Sequence, residues 1–257
     1  HSACIVGALR GNEYQQLYIC SKLIDVLKKI EKHGDIVGEN GILVIPSVSN
    51  MSMDFGKRFW ISDDTDLNRL FPGNPSGESG SRVAYAIMET TKGYRYGIHL
   101  PSFYLGGTFM PHIRLLDPEH GSTSLANLFG LPYVIEAKSR PFDRTTLHNN
   151  WQRNGTEAFS LYTGMTGKID DELAAQAVSS ILRFLTRMGI IRYYSHSGYI
   201  ASVLKEGDLE PIMTEAAGIF IKKAECGQEV SRGDVLAQIM KADSGEIISE
   251  VKAPTDG

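Results

Sequence analysis

Apolar and polar positions alternate along this chain with two distinct periods, and the change from one to the other divides it. Residues 13–33 carry Leu17, Cys20, Leu23, Ile24, Leu27 and Ile30 at helical spacing, and Gly34 is a natural stop. Residues 170–188 repeat the pattern with Leu173, Ala177, Ile181, Leu182, Leu185 and Met188, closed by Gly189. Short apolar runs at 3–7 and 42–45 predict buried strands, and further strands are predicted at 96–100, 133–135 and 158–162. Helices at 80–91 and 125–129 fall between them. This alternation predicts an α/β unit with a largely parallel sheet flanked by helices. After about residue 195 the helical period disappears. Short alternating pieces at 199–203, 218–222, 234–239 and 247–251, separated by glycine and charged turns, predict a small all-β module. The expected division is therefore 1–195 and 196–257.

Composition narrows the function classes. With 42% apolar and 22% charged residues, the chain has an ordinary globular balance. A net charge of −4 without a basic run argues against a nucleic-acid partner. No apolar stretch reaches the ~18–20 residues that span a bilayer, so no membrane partner is expected. No signal peptide is expected either, because no basic region followed by an apolar core opens the chain. Cys4, Cys20 and Cys226 are too widely spaced for a C-x-x-C pair, which suits a reducing, cytoplasmic location. The chain starts without methionine inside a predicted strand and stops at Pro254-Thr255-Asp256-Gly257, so both ends are expected to be shortened. Exposed apolar positions on the second module would allow a homo-oligomer.

Three places carry candidate chemistry. The first is the strand-to-helix turn Arg10-Gly11-Asn12-Glu13. Histidine at 10 with glutamate at 13 would make two zinc ligands three residues apart; here the glutamate stands beside an arginine. Alternatively Glu13 simply favours a helix N-terminus. The second is Asp66-Leu67-Asn68-Arg69-Leu70-Phe71-Pro72-Gly73, where Asn68 and Arg69 can grip a carboxylate, the planar guanidinium bidentately. Asp66 and Arg69 could instead pin a loop. The third is His99 at the end of a predicted strand, where a lone histidine is more often structural.

Taken in order, these segments resemble the succinylglutamate desuccinylase and aspartoacylase family of the zinc-carboxypeptidase-like superfamily. Arg10-Gly11-Asn12-Glu13 stands where that family has His-Gly-Asp/Asn-Glu, the Asp66–Gly73 block is similar to its substrate loop, and Ile98-His99 to its second histidine. The resemblance spans nearly the whole chain and implies a carboxypeptidase-like domain followed by a small β barrel-sandwich domain. It implies zinc as cofactor, Glu13 and His99 as metal ligands, and Asn68 and Arg69 holding a carboxylate-bearing small-molecule substrate. The implied reaction is hydrolysis of an N-acyl amide or ester, zinc activating the water.

Three departures cut against that chemistry. Arg10 replaces the first histidine, and a guanidinium offers no lone pair and repels a divalent cation. Gly97 stands where an aspartate commonly precedes the second histidine. Tyr162 falls where a Glu-x-Gly segment supplies a general base, and it becomes the candidate catalytic residue, as a proton donor or oxyanion partner. His112, His120 or His148 could supply a third ligand. Alternatively Arg10 pairs with Glu13 and places its own charge, with the substrate-binding residues, where the metal would sit. Two classes therefore compete: a metal-dependent amide or ester hydrolase, and a metal-free relative that binds a carboxylate ligand or a partner. Met240-Lys241-Ala242 has a poor match to a biotinyl or lipoyl carrier site, and Lys241 is expected to be an exposed, unmodified lysine.

Overall fold

In a computed structural model, which describes residues 2–103, 107–118 and 122–257, the chain forms two compact units, one ending at Glu206 and the other running Gly207–Gly257. The first holds a seven-stranded sheet in the order β2-β1-β3-β6-β4-β5-β7. Its strands are β1 (Ala3–Ala8), β2 (Ile42–Ser47), β3 (Tyr96–His99), β4 (Thr108–Leu116), β5 (Tyr133–Ala137), β6 (Glu157–Met165) and β7 (Ser202–Lys205). Every pairing is parallel except β4 with β6. Helices α1 (Tyr14–Lys32), α2 (Asn50–Asp54), α3 (Ser79–Thr91), α4 (Ser122–Asn127), α5 (Leu147–Arg153) and α6 (Asp171–Arg187) flank it. The α/β architecture with a mostly parallel sheet is thus as the hydrophobic pattern predicts.

Each sheet face has its own core, because alternate strand residues point to opposite sides. Ile5, Ile98, Phe159 and Leu161 pack with Ile19, Leu23, Ile181 and Phe184 of α1 and α6. Cys4, Val6 and Ala158 pack on the other face with Leu67, Phe71, Leu147 and Trp151. The start of α6 is secured by Asp170, whose side chain accepts from Leu173 N at 3.0 Å.

Two elements differ from the pattern-based expectation. The strand read at 199–203 lies at Ser202–Lys205 and pairs with β5, so it extends the large sheet instead of opening the second module. The units consequently part after Glu206, later than the composition change. Strand β4 was not expected at all. Pro111 interrupts its apolar run, and the β4–β6 register shifts between Phe109 and His112. Proline inside a sheet is tolerated at such a bulge because no ladder donor is needed there.

The second unit carries a three-stranded antiparallel sheet, order β10-β9-β8, of β8 (Ile219–Lys222), β9 (Val235–Met240) and β10 (Ile247–Lys252). Lys241 stands just after β9 with its side chain exposed, 3.7 Å from Asp243. Among the described residues, no helix is long and apolar enough to cross a membrane.

Gly97 has a packing reason. A Cβ there would lie 2.5 Å from Cε3 of Trp151, whose indole Nε1 donates to Thr91 Oγ1 at 2.9 Å. The indole fills the place of any side chain at 97. Gly97→Asp should therefore cost about 3 kcal/mol or more, by overpacking and by burying an unpaired carboxylate. Denaturant unfolding beside Gly97→Ala, which brings only the steric part, separates the two contributions.

Candidate functional site

The site is built where β1 and β3 end, beside the middle of β6. Chain leaving β1 turns sharply at Gly11, where a Cβ would meet Lys57 O at 2.1 Å, and enters α1 through Glu13. Glu13 is fully buried, and its carboxylate is saturated with donors. Oε2 accepts from Leu9 N at 2.8 Å and Arg10 N at 2.9 Å. Oε1 accepts from Ser102 Oγ at 2.6 Å, Ser102 N at 3.2 Å and Arg10 Nη1 at 3.1 Å.

Arg10 is 5% exposed and lies between two carboxylates. Besides Glu13 it grips Asp66 bidentately, Nε to Oδ1 at 2.9 Å and Nη2 to Oδ2 at 2.8 Å. Burial alone disfavours its charge. The charge of Glu13 and the hydrogen bond and charge of Asp66 outweigh burial and hold the guanidinium above its ordinary value. The pairing of Arg10 with Glu13 that the sequence suggested is thus present, and Asp66 completes a triad.

His99 ends β3, 2% exposed. Burial first, then the electrostatic influence of Arg10 and of His148, push its pKa down to about 3, so the imidazole is neutral. His148, from α5, is equally neutral: burial and then Arg114 lower it to about 3, and its Nδ1 lies 2.8 Å from Ser160 Oγ. Tyr162 stacks on His112 with ring centroids 5.0 Å apart. Burial raises the Tyr162 pKa, which leaves it a proton-bearing phenol and a poor base.

Asn68 and Arg69 are placed differently. Asn68 Oδ1 accepts from Leu147 N at 3.1 Å, and Arg69 Nη1 donates to Phe142 O at 2.9 Å and lies 3.8 Å from Asp143. Both tie their loop to the 142–147 segment, and Arg69 remains 38% exposed. Asp66 both anchors Arg10 and caps the turn by accepting from Asn68 N at 3.1 Å.

Zinc does not suit these donors. Among the described residues, no group of three or more His, Cys, Asp or Glu is arranged to hold a metal ion. Both Glu13 oxygens are occupied, and the adjacent guanidinium repels a divalent cation. His112 binds Met110 O through Nδ1 at 2.8 Å, His148 turns its Nδ1 to Ser160, and His120 lies outside the described residues. Sequence reasoning missed Ser102, Ser160 and Arg114. Arg114 carried a signal: a charge set among Ile113, Leu115 and Leu116 in a buried strand.

Residues 1–188 match the succinylglutamate desuccinylase/aspartoacylase catalytic domain. Over 285 aligned positions, covering all of this chain and 75% of the relative, the chain is 23% identical to the N-alpha-acetyl-L-2,4-diaminobutyric acid deacetylase of Halomonas elongata. The fold resembles a succinylglutamate desuccinylase from Silicibacter sp. TM1040, with a TM-score of 0.83 at 20% identity, covering 100% of this chain and 78% of that one. It also resembles the product-bound ectoine utilization protein EutE (DoeB) from Ruegeria pomeroyi, with a TM-score of 0.82 at 20% identity and the same coverages.

The two neutral histidines make stability pH-dependent. Unfolded imidazoles take up protons below about 6.5, while His99 and His148 stay neutral down to about 3. The unfolded state therefore holds more protons between those values, and stability is lost as pH falls through that window. Each histidine contributes a slope approaching about 1.4 kcal/mol per pH unit. Urea unfolding between pH 5 and 7 should give a clearly shallower dependence for His148→Gln than for the parent chain; equal slopes would rule this origin out.

Proposed function

Because the chain belongs to the succinylglutamate desuccinylase/aspartoacylase family, we propose that it keeps that family's pocket for a small carboxylate-bearing ligand but not zinc-dependent hydrolysis. The observation that carries this reading is the buried Arg10–Glu13–Asp66 triad, in which a permanent cation takes the position a first metal ligand would need. With Glu13 saturated, and Tyr162 and both histidines unsuited as bases near neutral pH, no group in the cluster is poised to activate water. Arg69, half exposed at the rim, and Asn68 beside it are the outer anchor for the ligand carboxylate.

The second reading is a zinc-dependent amide or ester hydrolase in which Glu13 and His99 are ligands. In its favour, the Halomonas elongata relative is a deacetylase. Elemental analysis of protein never exposed to chelator decides between the two. We expect no stoichiometric zinc in the parent chain and zinc uptake by Arg10→His, which restores a third donor. Near-stoichiometric zinc in the parent, lost in Glu13→Ala or His99→Ala, would establish the hydrolase reading instead.

We assign the protein to the cytoplasm, since Cys4, Cys20 and Cys226 are all free thiols. We also assign the sheet of residues 207–257 to the barrel-sandwich type, and place self-association on its exposed Ile219 and Phe220. Arg69→Ala should weaken binding of N-acetylated amino acids, N-acetyl-2,4-diaminobutyrate among them, by roughly 1–2 kcal/mol, the lower end reflecting exposure of the guanidinium. Calorimetry reads this directly, and an unchanged affinity removes Arg69 from the pocket.

A further inference from the structure

Buried polar groups outside the Arg10 ion pairs lie in one row across the sheet. His99 on β3 stands opposite Ser160 on β6, and Ser160 stands opposite Arg114 on β4. Cross-strand partners present their side chains on one face, so the three share a side. His148 reaches the same row from α5 through its 2.8 Å contact with Ser160. His99 and His148 are 2% and 3% exposed. Among the described residues, His99 Nε2, His148 Nε2 and Arg114 Nε are buried and have no hydrogen-bond partner. The outer part of the Arg114 guanidinium is engaged, with Nη2 3.7 Å from Glu206 Oε1 and a hydrogen bond shared with the Tyr162 side chain. Buried polar groups without partners are costly and uncommon; Arg114 Nε–H is a fixed cationic donor and each imidazole Nε2 donates when it carries the ring proton, so the row calls for an acceptor.

We propose that this row is an anion subsite that receives a carboxylate of the bound ligand. Arg114 Nε–H and His148 Nε2–H donate to its oxygens, with His99 alongside. In this arrangement the Ser160 hydroxyl, 2.8 Å from His148 Nδ1, is the donor and the imidazole carries its proton on Nε2. This inference rests on the ligand-binding reading above and adds an inner anchor distinct from Asn68 and Arg69 at the rim. A cation would be the wrong occupant, because Arg10 and Arg114 both act on this row electrostatically.

Acetate titration of the full chain, followed through the imidazole and guanidinium N–H resonances, tests the subsite. Saturable shifts are expected at His148 and at Arg114 Nε. The apparent acetate affinity should drop roughly tenfold or more in Arg114→Lys and in His148→Gln, the loss of one charge-assisted or buried hydrogen bond. Arg69→Ala should leave these inner shifts in place. The shift map of the parent chain carries the test even where a variant fails to fold. Shifts confined to Arg69, and abolished by Arg69→Ala alone, would overturn the inner subsite while leaving the ligand-binding reading intact. Donor resonances that exchange with water and ignore acetate would show a hydrated row and overturn it too. If neither acetate nor any N-acetylated amino acid binds at either place, the ligand-binding reading itself falls.

Discussion

A guanidinium cannot shed its proton to escape burial, so a buried arginine must be met by negative charge where it stands. Arg10 meets that constraint with two carboxylates from separate parts of the chain, Glu13 at the head of α1 and Asp66 in the loop before Asn68. Those carboxylates are themselves fixed, Glu13 by the Leu9 and Arg10 amides and by Ser102, Asp66 by the Asn68 amide. The arrangement joins the ends of β1 and β3 to the 66–69 loop. Removing any one member would strand charge in the interior, which typically costs about 3–5 kcal/mol. The rest of the site is organised around this fixed cation.

Its influence extends to the neighbouring histidines. The charge of Arg10 adds to burial in keeping His99 neutral, and Arg114 does the same for His148. Both imidazoles are therefore neutral hydrogen-bonding groups. Trp151 occupies the space above Gly97, so a carboxylate there is also excluded by packing. Positions 10, 97 and 162 are mutually consistent in physical terms: a fixed cation, a space filled by Trp151 and a phenol that keeps its proton.

Family relationship and chemistry are separate questions for this chain. The catalytic-domain match and the shared fold describe descent, while the donors around Arg10 describe what the pocket can hold. A pocket can retain ligand-gripping groups after losing the means to activate water, since binding a carboxylate needs cations and N–H donors while hydrolysis needs a base or a metal as well.

The major helices and most strands were legible in the sequence because one-sided burial imposes a period on residue type, as in α1 and α6. The Asp66–Gly73 block and Glu13 were legible because their residue types are unusual together. Strand β4 was not, since Pro111 hides it and only the bulge against β6 accommodates that proline. The pairing of β7 with β5, which moved the unit boundary, was hidden too, because an alternating piece does not say which edge it will join. By itself the sequence determined the α/β plan, the family and the presence of an arginine beside Glu13 at position 10. Only the tertiary structure decided that Asp66 would share the charge of Arg10, that Asn68 and Arg69 would tie down a loop, and that His99, Ser160 and Arg114 would stand in one row. These depend on side chains meeting across tens of residues, and a local pattern carries no record of strand order or register.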